Sequence, residues 1–360
     1  MKSKRNYTLE FWRFVFALLI CLFHFERKYI IPEGADFFFY FASGFMGVEF
    51  FFILAGFFIA RSREKVNGDL SIDAAAHEGL TFVKKKFTDI FPRFITVIPF
   101  FIIFVQGQSF SDILKRFMNL EWDLLFLQNT GVGRGGDTLA VMWFISTLVI
   151  VGYFTVVIFY WKKSLTKYIL VPIAWLLGYS YFGFRSDNLS RHIQQYGALA
   201  AGTIRGFAGL ALGITAYQVY LKLCTLKLTR WKIAGLNLLE LYTIFRVVYL
   251  TVGQPVNYGN FRVLVYFPIL IILSYANITV LSKLLNNKVS KILGKLTMSI
   301  FLIHPGLVTL YHKYILDSMG RKWDMPLFMS AVFLLTIVME VGFAYIPLLC
   351  KKMKKSKSFE

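Results

Sequence analysis

The segment YTLEFWRFVFALLICLFHF, Tyr7–Phe25, decides the fold class. An apolar helix of about 20 residues spans the hydrocarbon core of a bilayer, which is about 30 Å thick. The segment is almost entirely aromatic and aliphatic, yet it carries Arg13 and His24. Because it has no small-x-small cleavage site of the kind that ends a removable signal peptide, we interpret it as a retained transmembrane helix.

The rest of the chain shares this apolar character. Of its 360 residues, 57% are hydrophobic and 18% aromatic, and the mean hydropathy is +0.58. Such a composition excludes a water-soluble domain of this length. The net charge of +20 would suit a nucleic-acid binder, but on an apolar chain membrane topology and anionic lipids explain basic residues more simply. We therefore expect membrane lipid, and no nucleic acid, as a partner.

Apolar windows of about 20 residues predict an all-α, polytopic transmembrane bundle of about ten helices. We expect one membrane-embedded domain over 1–360, with 350–360 as a basic cytosolic tail. The long segment 107–138 is apolar enough in part to lie in the membrane interface or to dip back into the protein. The helices are predicted near 8–25, 37–60, 88–106, 139–160, 167–183, 197–220, 233–252, 261–281, 296–312 and 326–349.

The distribution of basic residues predicts the orientation. With the N-terminus in the cytosol, about 25 of the 40 lysines and arginines fall in inside segments and about 10 in outside loops. An even number of helices places both termini on one side. We therefore predict that both are cytosolic.

Metal and disulfide chemistry have no support in the cysteine pattern. Cys21, Cys224 and Cys350 lie in or beside apolar segments and lack metal-ligand spacing. We expect neither a disulfide framework nor a metal site.

Arginines inside apolar segments are candidates for function, because an ionisable group within a bilayer costs several kcal/mol unless it faces a cavity or a partner. Snorkelling, or pairing with Glu240 or a lipid headgroup, also explains Arg246 and Arg262, and snorkelling is an alternative for Arg13 and Arg93 as well. The five are Arg13, Arg93, Arg205, Arg246 and Arg262.

Spacing distinguishes Arg13 from the other four. Arg13 and His24 are separated by close to three helical turns, so they lie on one face, roughly 16 Å apart along the axis. Ala17 and Cys21 lie between them. This pattern predicts a slot for a long ligand with an anionic end. Glu10, one turn before Arg13, is expected to pair with it.

Arg13 and His24 also match the R-x10-H signature of the acyltransferase-3 family. The resemblance implies an integral membrane enzyme that transfers acyl groups, usually acetyl, from acyl-coenzyme A to sugars of cell-surface polysaccharides and glycoconjugates. Four further segments resemble motifs of the family in chain order: GVEFFFILAGFFIA (47–60), KKFTDIFPRF (85–94), VMWFISTLV (141–149) and LGKLTMSIFLIHPGLV (293–308).

Three departures from the family pattern stand out. Asp89 occupies the place of a third arginine in the basic element, and Ala55 the place of a frequent serine in the second helix. The chain ends shortly after its last apolar segment, so we expect no SGNH-type esterase domain.

The resemblance, together with the charged residues inside apolar segments, leads to a set of expected catalytic and donor-binding residues; Glu49 is included because a carboxylate in mid-helix is costly to bury as an ion. The expected catalytic residues are His24 as general base, Arg13 and Glu49; histidine suits this role because its pKa lies near working pH. The donor is expected to be cytosolic acetyl-coenzyme A or another acyl-coenzyme A, with no metal. Its phosphates suit cationic side chains, here Arg13, Lys85, Lys86 and Arg93.

The acceptor is expected to be a hydroxyl of a sugar or polysaccharide, bound by Trp143, Ser146 and His304. The resemblance also implies a bacterial cytoplasmic membrane as the location. The residues leave open whether transfer is direct or passes through an acylated side chain, and they do not identify the acceptor, the acyl chain length or the oligomeric state. A transporter or flippase of a lipid-linked glycan is the alternative from another functional class.

Overall fold

The computed structural model describes residues 6–27, 39–106, 109–130, 141–186, 188–190, 195–196, 199–316 and 325–356. The predicted charged N-terminus (1–5) and the last four residues of the predicted tail (357–360) lie outside the described residues. So do the first residues of three predicted helices, at 37–38, 139–140 and 197–198.

The described chain is almost wholly helical. Because lipid offers no hydrogen bonds to the backbone, an apolar segment in a bilayer must satisfy its peptide groups internally. The helices are α1 (Thr8–Arg27), α2 (Gly47–Arg63), α3 (Ile72–Phe100), α4 (Phe110–Met118), α5 (Glu121–Leu124), α6 (Met142–Trp161), α7 (Lys163–Leu165), α8 (Val171–Arg185), α9 (Ala201–Thr225), α10 (Arg230–Thr251), α11 (Val263–Ala276), α12 (Val280–Leu285), α13 (Lys288–Tyr311) and α14 (Met325–Ser356).

Shorter elements join or extend these helices. Two-residue strands β1 (Gln195–Tyr196) and β2 (Leu199–Ala200) pair antiparallel, with Gln195 opposite Ala200. The remaining elements are the 3₁₀ turns Gly44–Met46, Gln128–Thr130 and Tyr258–Arg262, and the π-helical turns Phe101–Gln106, Thr166–Leu170 and His312–Leu316.

Nine helices in the described part of the chain are long and apolar enough to cross a membrane. The predicted span 167–183 is not among them. It corresponds to the π turn Thr166–Leu170 and α8, which continue from α7 as one helical run, 163–185. At 1.5 Å per residue this run is about 34 Å long, enough to cross the hydrocarbon core.

Helix directions show that α8 completes a tenth crossing. In the pair α2 and α9, Glu49 contacts Arg205 and Phe57 packs on Tyr217, so the two helices are parallel. Parallel helices need an odd number of crossings between them. Since α3 and α6 supply two, α8 must supply the third.

The pair α1 and α13 requires the same count. Glu10 packs against Gly294 and His24 against His304, so these helices are also parallel. The predicted bundle of about ten helices is confirmed, and the described chain begins and ends on one side of it. We call this the terminal side and the opposite one the far side; that the terminal side is cytosolic stays a prediction.

Helices α2 and α9 pack with their backbones in contact. A Cβ atom on Gly56 would clash with the backbone oxygen of Leu210, and one on Gly213 would clash with the backbone oxygen of Ile53. Small residues let membrane helices approach until their backbones touch, and van der Waals packing then replaces the missing hydrophobic drive. This contact fixes the depth at which the polar residues of α2 and α9 meet.

Helix α4 is strongly amphipathic and has no buried residues. Phe110, Leu114 and Phe117 share one face and are exposed, whereas Asp112 and Lys115 lie on the other. This arrangement is typical of a helix that lies in the membrane interface. It favours the interfacial interpretation of this part of 107–138; residues 131–140 lie outside the described part.

Candidate active site

His24 of α1 and His304 of α13 face each other at the far side of the bundle. Their ring centroids are 5.2 Å apart and the rings are tilted by 37°. His24 is half-buried, whereas His304 is fully buried. The sequence named both residues, but their pairing depends on α1 and α13 being parallel neighbours.

The hydrogen bonding of His304 defines its tautomer. Its Nδ1 lies 2.9 Å from the carbonyl oxygen of Ile300, one turn earlier. Because a carbonyl only accepts hydrogen bonds, Nδ1 must donate, which leaves Nε2 with a lone pair in the neutral ring. Among the described residues, Nε2 has no hydrogen-bond partner.

Arg13 lies on the terminal side of α1, half-buried, with 31% of its side chain exposed. It donates to Glu10 Oε2 at 2.7 Å, which confirms the expected pair. Lys86 of α3 is close enough to Arg13 for electrostatic repulsion, and Lys85 beside it is exposed. The structure therefore brings three of the four predicted phosphate ligands to one region.

The fourth, Arg93, is engaged elsewhere. Its guanidinium forms a bidentate pair with Glu340 of α14, at 2.8 Å from Nε and 3.0 Å from Nη2. The Ser299 hydroxyl of α13 donates to the same carboxylate, and the Phe343 ring lies 5.2 Å from the guanidinium carbon. Arg93 thus joins α3 to α13 and α14. Glu340 was not predicted from the sequence, although a carboxylate within an apolar span implies a partner.

Glu49 forms a buried ion pair with Arg205. Arg205 Nε donates to Glu49 Oε1 at 2.8 Å, and both side chains are shielded from solvent. The Trp143 ring lies 5.4 Å from the guanidinium carbon. Glu49 Oε2 and Arg205 Nη2 have no hydrogen-bond partner among the described residues. Both residues stood out in the sequence, but nothing there indicated that they pair.

Ser146 is buried and held by a residue that sequence reasoning missed. The backbone N–H of Asn129 donates to Ser146 Oγ at 3.1 Å, and the Asn129 side chain donates to Thr147 Oγ1 at 2.6 Å. A weaker contact of 3.4 Å reaches Thr203 of α9. Asn129 lies in a polar stretch between apolar segments. Nothing in the sequence of that stretch indicates that it contacts Ser146 and Thr147.

An aromatic layer connects the histidine pair to the ion pair. We define it as Trp143, Phe144 and Phe301. The Phe301 ring lies 6.3 Å from His304 and 5.9 Å from Phe144, which lies 6.4 Å from Trp143. Ring contacts thus connect the predicted residues His24, His304 and Trp143, and Trp143 lies against Arg205, the partner of Glu49.

The predicted slot between Arg13 and His24 is closed. Ala17 is 2% exposed and Cys21 is 0% exposed, on the helix that packs along α13 at Gly294 and His304. We call this contact the α1–α13 seam. Partly exposed polar groups lie at the two ends of the seam. Its middle is packed core, because small side chains allow the helices to pack closely.

The remaining predicted polar residues have local explanations. Among the described residues no ion pair joins Arg246 to Glu240; the Arg246 guanidinium carbon lies 5.4 Å from the centre of the Tyr249 ring and 5.5 Å from that of the Tyr266 ring. The described residues contain no group of three or more His, Cys, Asp and Glu side chains that could hold a metal ion.

The ten crossings found among the described residues, with histidines and charge pairs in their interior, define a polytopic membrane protein with a polar site inside the bundle. A family model described as an acyltransferase domain, that of the acyltransferase-3 family, matches residues 6–345. The chain belongs to this family and is a membrane acyltransferase, which confirms the resemblance. No curated protein and no solved structure matches the chain.

Proposed function

We propose that this acyltransferase moves an acetyl group from acetyl-coenzyme A to a hydroxyl of a cell-surface or lipid-linked sugar. Its setting is the cytoplasmic membrane of a bacterium, and 1–360 acts as one domain. The observation that carries the proposal is the placement of the half-buried His24 against His304 at the far side, with Arg13 at the terminal side of the same helix.

The donor binds at the terminal side. Arg13, Lys85 and Lys86 lie there together, against the carboxylates of Glu10 and Asp89. A guanidinium has five N–H donors, so Arg13 retains donors for a phosphate after it has bonded to Glu10. Arg93 is assigned a structural role instead, because its bidentate bond to Glu340 occupies one edge of its guanidinium.

The chemical step is direct transfer. His24 accepts the proton of the acceptor hydroxyl as the oxygen attacks the thioester carbonyl. The carbon–sulfur bond then breaks, and the thiolate of coenzyme A takes the proton back from His24. A relay through an acylated side chain needs a nucleophile beside His24. Cys21, the nearest cysteine on α1, is fully buried, which favours direct transfer.

The closed seam adds a conformational step. For the acyl arm to run from Arg13 to His24, it must pass Ala17 and Cys21, which are covered by packing. The proposal therefore includes a parting of α1 from α13 on donor binding. Closure of the seam around the arm would exclude water from the thioester.

The acceptor approaches from the far side. Trp143 is half-buried there and offers an aromatic face of the kind that lines ligand sites. Ser146 and Glu49 lie on neighbouring helices, but Ser146 is bonded to Asn129 and Glu49 to Arg205. Their contribution is to hold Trp143 and α2 in place beside the acceptor.

The test is acetyl transfer by purified protein in lipid vesicles, with radiolabelled acetyl-coenzyme A and cell-envelope glycans. We expect acetyl ester formation with the wild type and its loss with His24→Ala at equal folded yield. Acetylation that persists in His24→Ala rules out His24 as the base. If wild type gives no acetyl turnover while glycan export fails in a deletion strain, the protein is a transporter or flippase instead.

A further inference from the structure

His304 has a buried ring nitrogen, Nε2, whose lone pair is unpaired among the described residues. Nδ1 is committed to the carbonyl of Ile300 at 2.9 Å. Nε2 is fully buried and has no hydrogen-bond partner among the described residues. Leaving a buried polar group unpaired is unfavourable for the folded state. A leucine or methionine would fill this apolar site without that cost, so packing alone does not account for a histidine.

The ring of His24 packs against the ring of His304. The centroids are 5.2 Å apart. An imidazole nitrogen lies about 1.2 Å from its ring centre, so two facing nitrogens at this separation would be about 2.8 Å apart, within hydrogen-bond distance. The other ring neighbour of His304, Phe301, offers no hydrogen to Nε2. A donor for Nε2 can therefore come from His24 after a small ring rotation.

We propose that His304 is a positioning residue that fixes the tautomer of His24. Its Nε2 lone pair accepts the N–H of the His24 ring, which leaves the other nitrogen of His24 unprotonated and directed at the acceptor hydroxyl. When His24 takes the acceptor proton, both of its nitrogens carry hydrogen, and the bond to His304 becomes charge-assisted. The proton returns from His24 to the thiolate, and His304 itself keeps one proton throughout.

This inference rests on the proposed function, because it assumes that His24 is the base. It follows a general requirement that a catalytic base be oriented by a third group. A neutral histidine suits this role in a membrane interior, where a carboxylate at the same place would carry the cost of a buried charge.

The experiment compares kcat and KM for acetyl-coenzyme A in His304→Leu, His304→Gln and His312→Gln. The glutamine oxygen at residue 304 can accept the hydrogen bond that leucine cannot. His312 is the matched control: its Nε2 contacts the backbone oxygen of Phe25 at 3.3 Å, across the same seam but away from the histidine pair. Folded yield is checked by size-exclusion chromatography.

We expect His304→Leu to lower kcat at least tenfold, since general-base catalysis contributes about 10²–10⁴-fold, with KM changed less than about twofold. His304→Gln should recover part of the lost kcat, and His312→Gln should retain most of it. Equal losses in the leucine and glutamine variants, or full activity of His304→Leu, overturn the inference. If His304→Leu does not fold, nitrogen NMR of His24 in wild type and His304→Gln decides: a His24 ring without one dominant tautomer in the wild type overturns it.

Failure of this inference is distinct from failure of the proposed function. An active His304→Leu beside an inactive His24→Ala leaves His24 as a base that needs no orienting partner. An active His24→Ala removes the base itself.

Discussion

Glu49 and Arg205 form a 2.8 Å ion pair between the parallel helices α2 and α9, and neither side chain is measurably open to solvent. The pair lies toward the far side, about two helical turns from Gly56 on α2, where the two backbones touch. Because both charges are buried, the stability of each depends on the other: either one alone would be an uncompensated ion in a medium of low dielectric constant.

The first prediction separates a structural from a catalytic role of Glu49. Glu49→Leu and Arg205→Met should each lower the free energy of unfolding by about 3–5 kcal/mol, since each leaves its partner charge buried. The double variant should lose much less. Thermal unfolding in detergent measures all three. If the folded double variant still acetylates, Glu49 is not catalytic; if the double variant loses as much stability as the sum of the two singles, the pair does not act as a unit.

The second prediction concerns the contact between α2 and α9. Gly56→Ala places a Cβ against the backbone oxygen of Leu210 and should lower the free energy of unfolding by about 1–3 kcal/mol, the usual cost of overpacking. Gly235→Ala in α10 is the control, because nothing lies near its added Cβ, and a helical glycine exchanged for alanine there should stabilise slightly. Equal stability of the two variants would contradict the close packing of α2 on α9.

The architecture follows from the sequence because apolar length and basic residues report directly on the membrane. The segment 167–183 was predicted by its apolar content, and the parallel packing of α2 and α9 confirms that α8 crosses. The sequence does not predict which helices pack together: α1 and α13 are neighbours although residues 28–287 lie between them. No periodicity within one helix reveals which distant helix covers it.

For the candidate site too, the sequence identified unusual residues but not their partners. A residue's type and its place in an apolar span marked Arg13, His24, Glu49 and Arg205 as unusual, since polar groups in lipid require a reason. Their partners depend on tertiary structure, so the Arg93–Glu340 bond was not predicted and the slot past Ala17 was predicted open when it is packed. A small apolar residue on a helix is compatible with two structures, a closely packed helix contact and an open channel, and the sequence alone does not distinguish them.

The third prediction concerns donor binding. Arg13→Ala should raise KM for acetyl-coenzyme A about tenfold or more, since a hydrogen bond to a charged group contributes about 1.5–3 kcal/mol, with little change in stability. Arg13→Lys should retain part of the affinity. Binding of coenzyme A measured by calorimetry gives the same comparison without turnover. An unchanged dissociation constant for Arg13→Ala would remove Arg13 from the donor site.

The fourth prediction assigns Arg93 to folding. Arg93→Ala and Glu340→Ala should lower the free energy of unfolding by similar amounts, about 1–3 kcal/mol, because each breaks the same bidentate bond. Neither should raise KM for acetyl-coenzyme A more than about twofold. A tenfold rise in KM for Arg93→Ala but not for Glu340→Ala would return Arg93 to the phosphate ligands.

The fifth prediction tests the closed α1–α13 seam through its own cysteine. In a Cys350→Ser background, a membrane-permeant maleimide should modify Cys224, which is exposed, much faster than Cys21, which is buried. Peptide mass spectrometry measures the two rates separately.

A non-hydrolysable analogue of acetyl-coenzyme A should raise the rate at Cys21 if the seam parts on donor binding, while the rate at Cys224 serves as the internal reference. Equal modification rates at both cysteines without donor would show that the seam is open at rest. If the analogue leaves the modification rate of Cys21 unchanged, the acyl arm reaches His24 by another path.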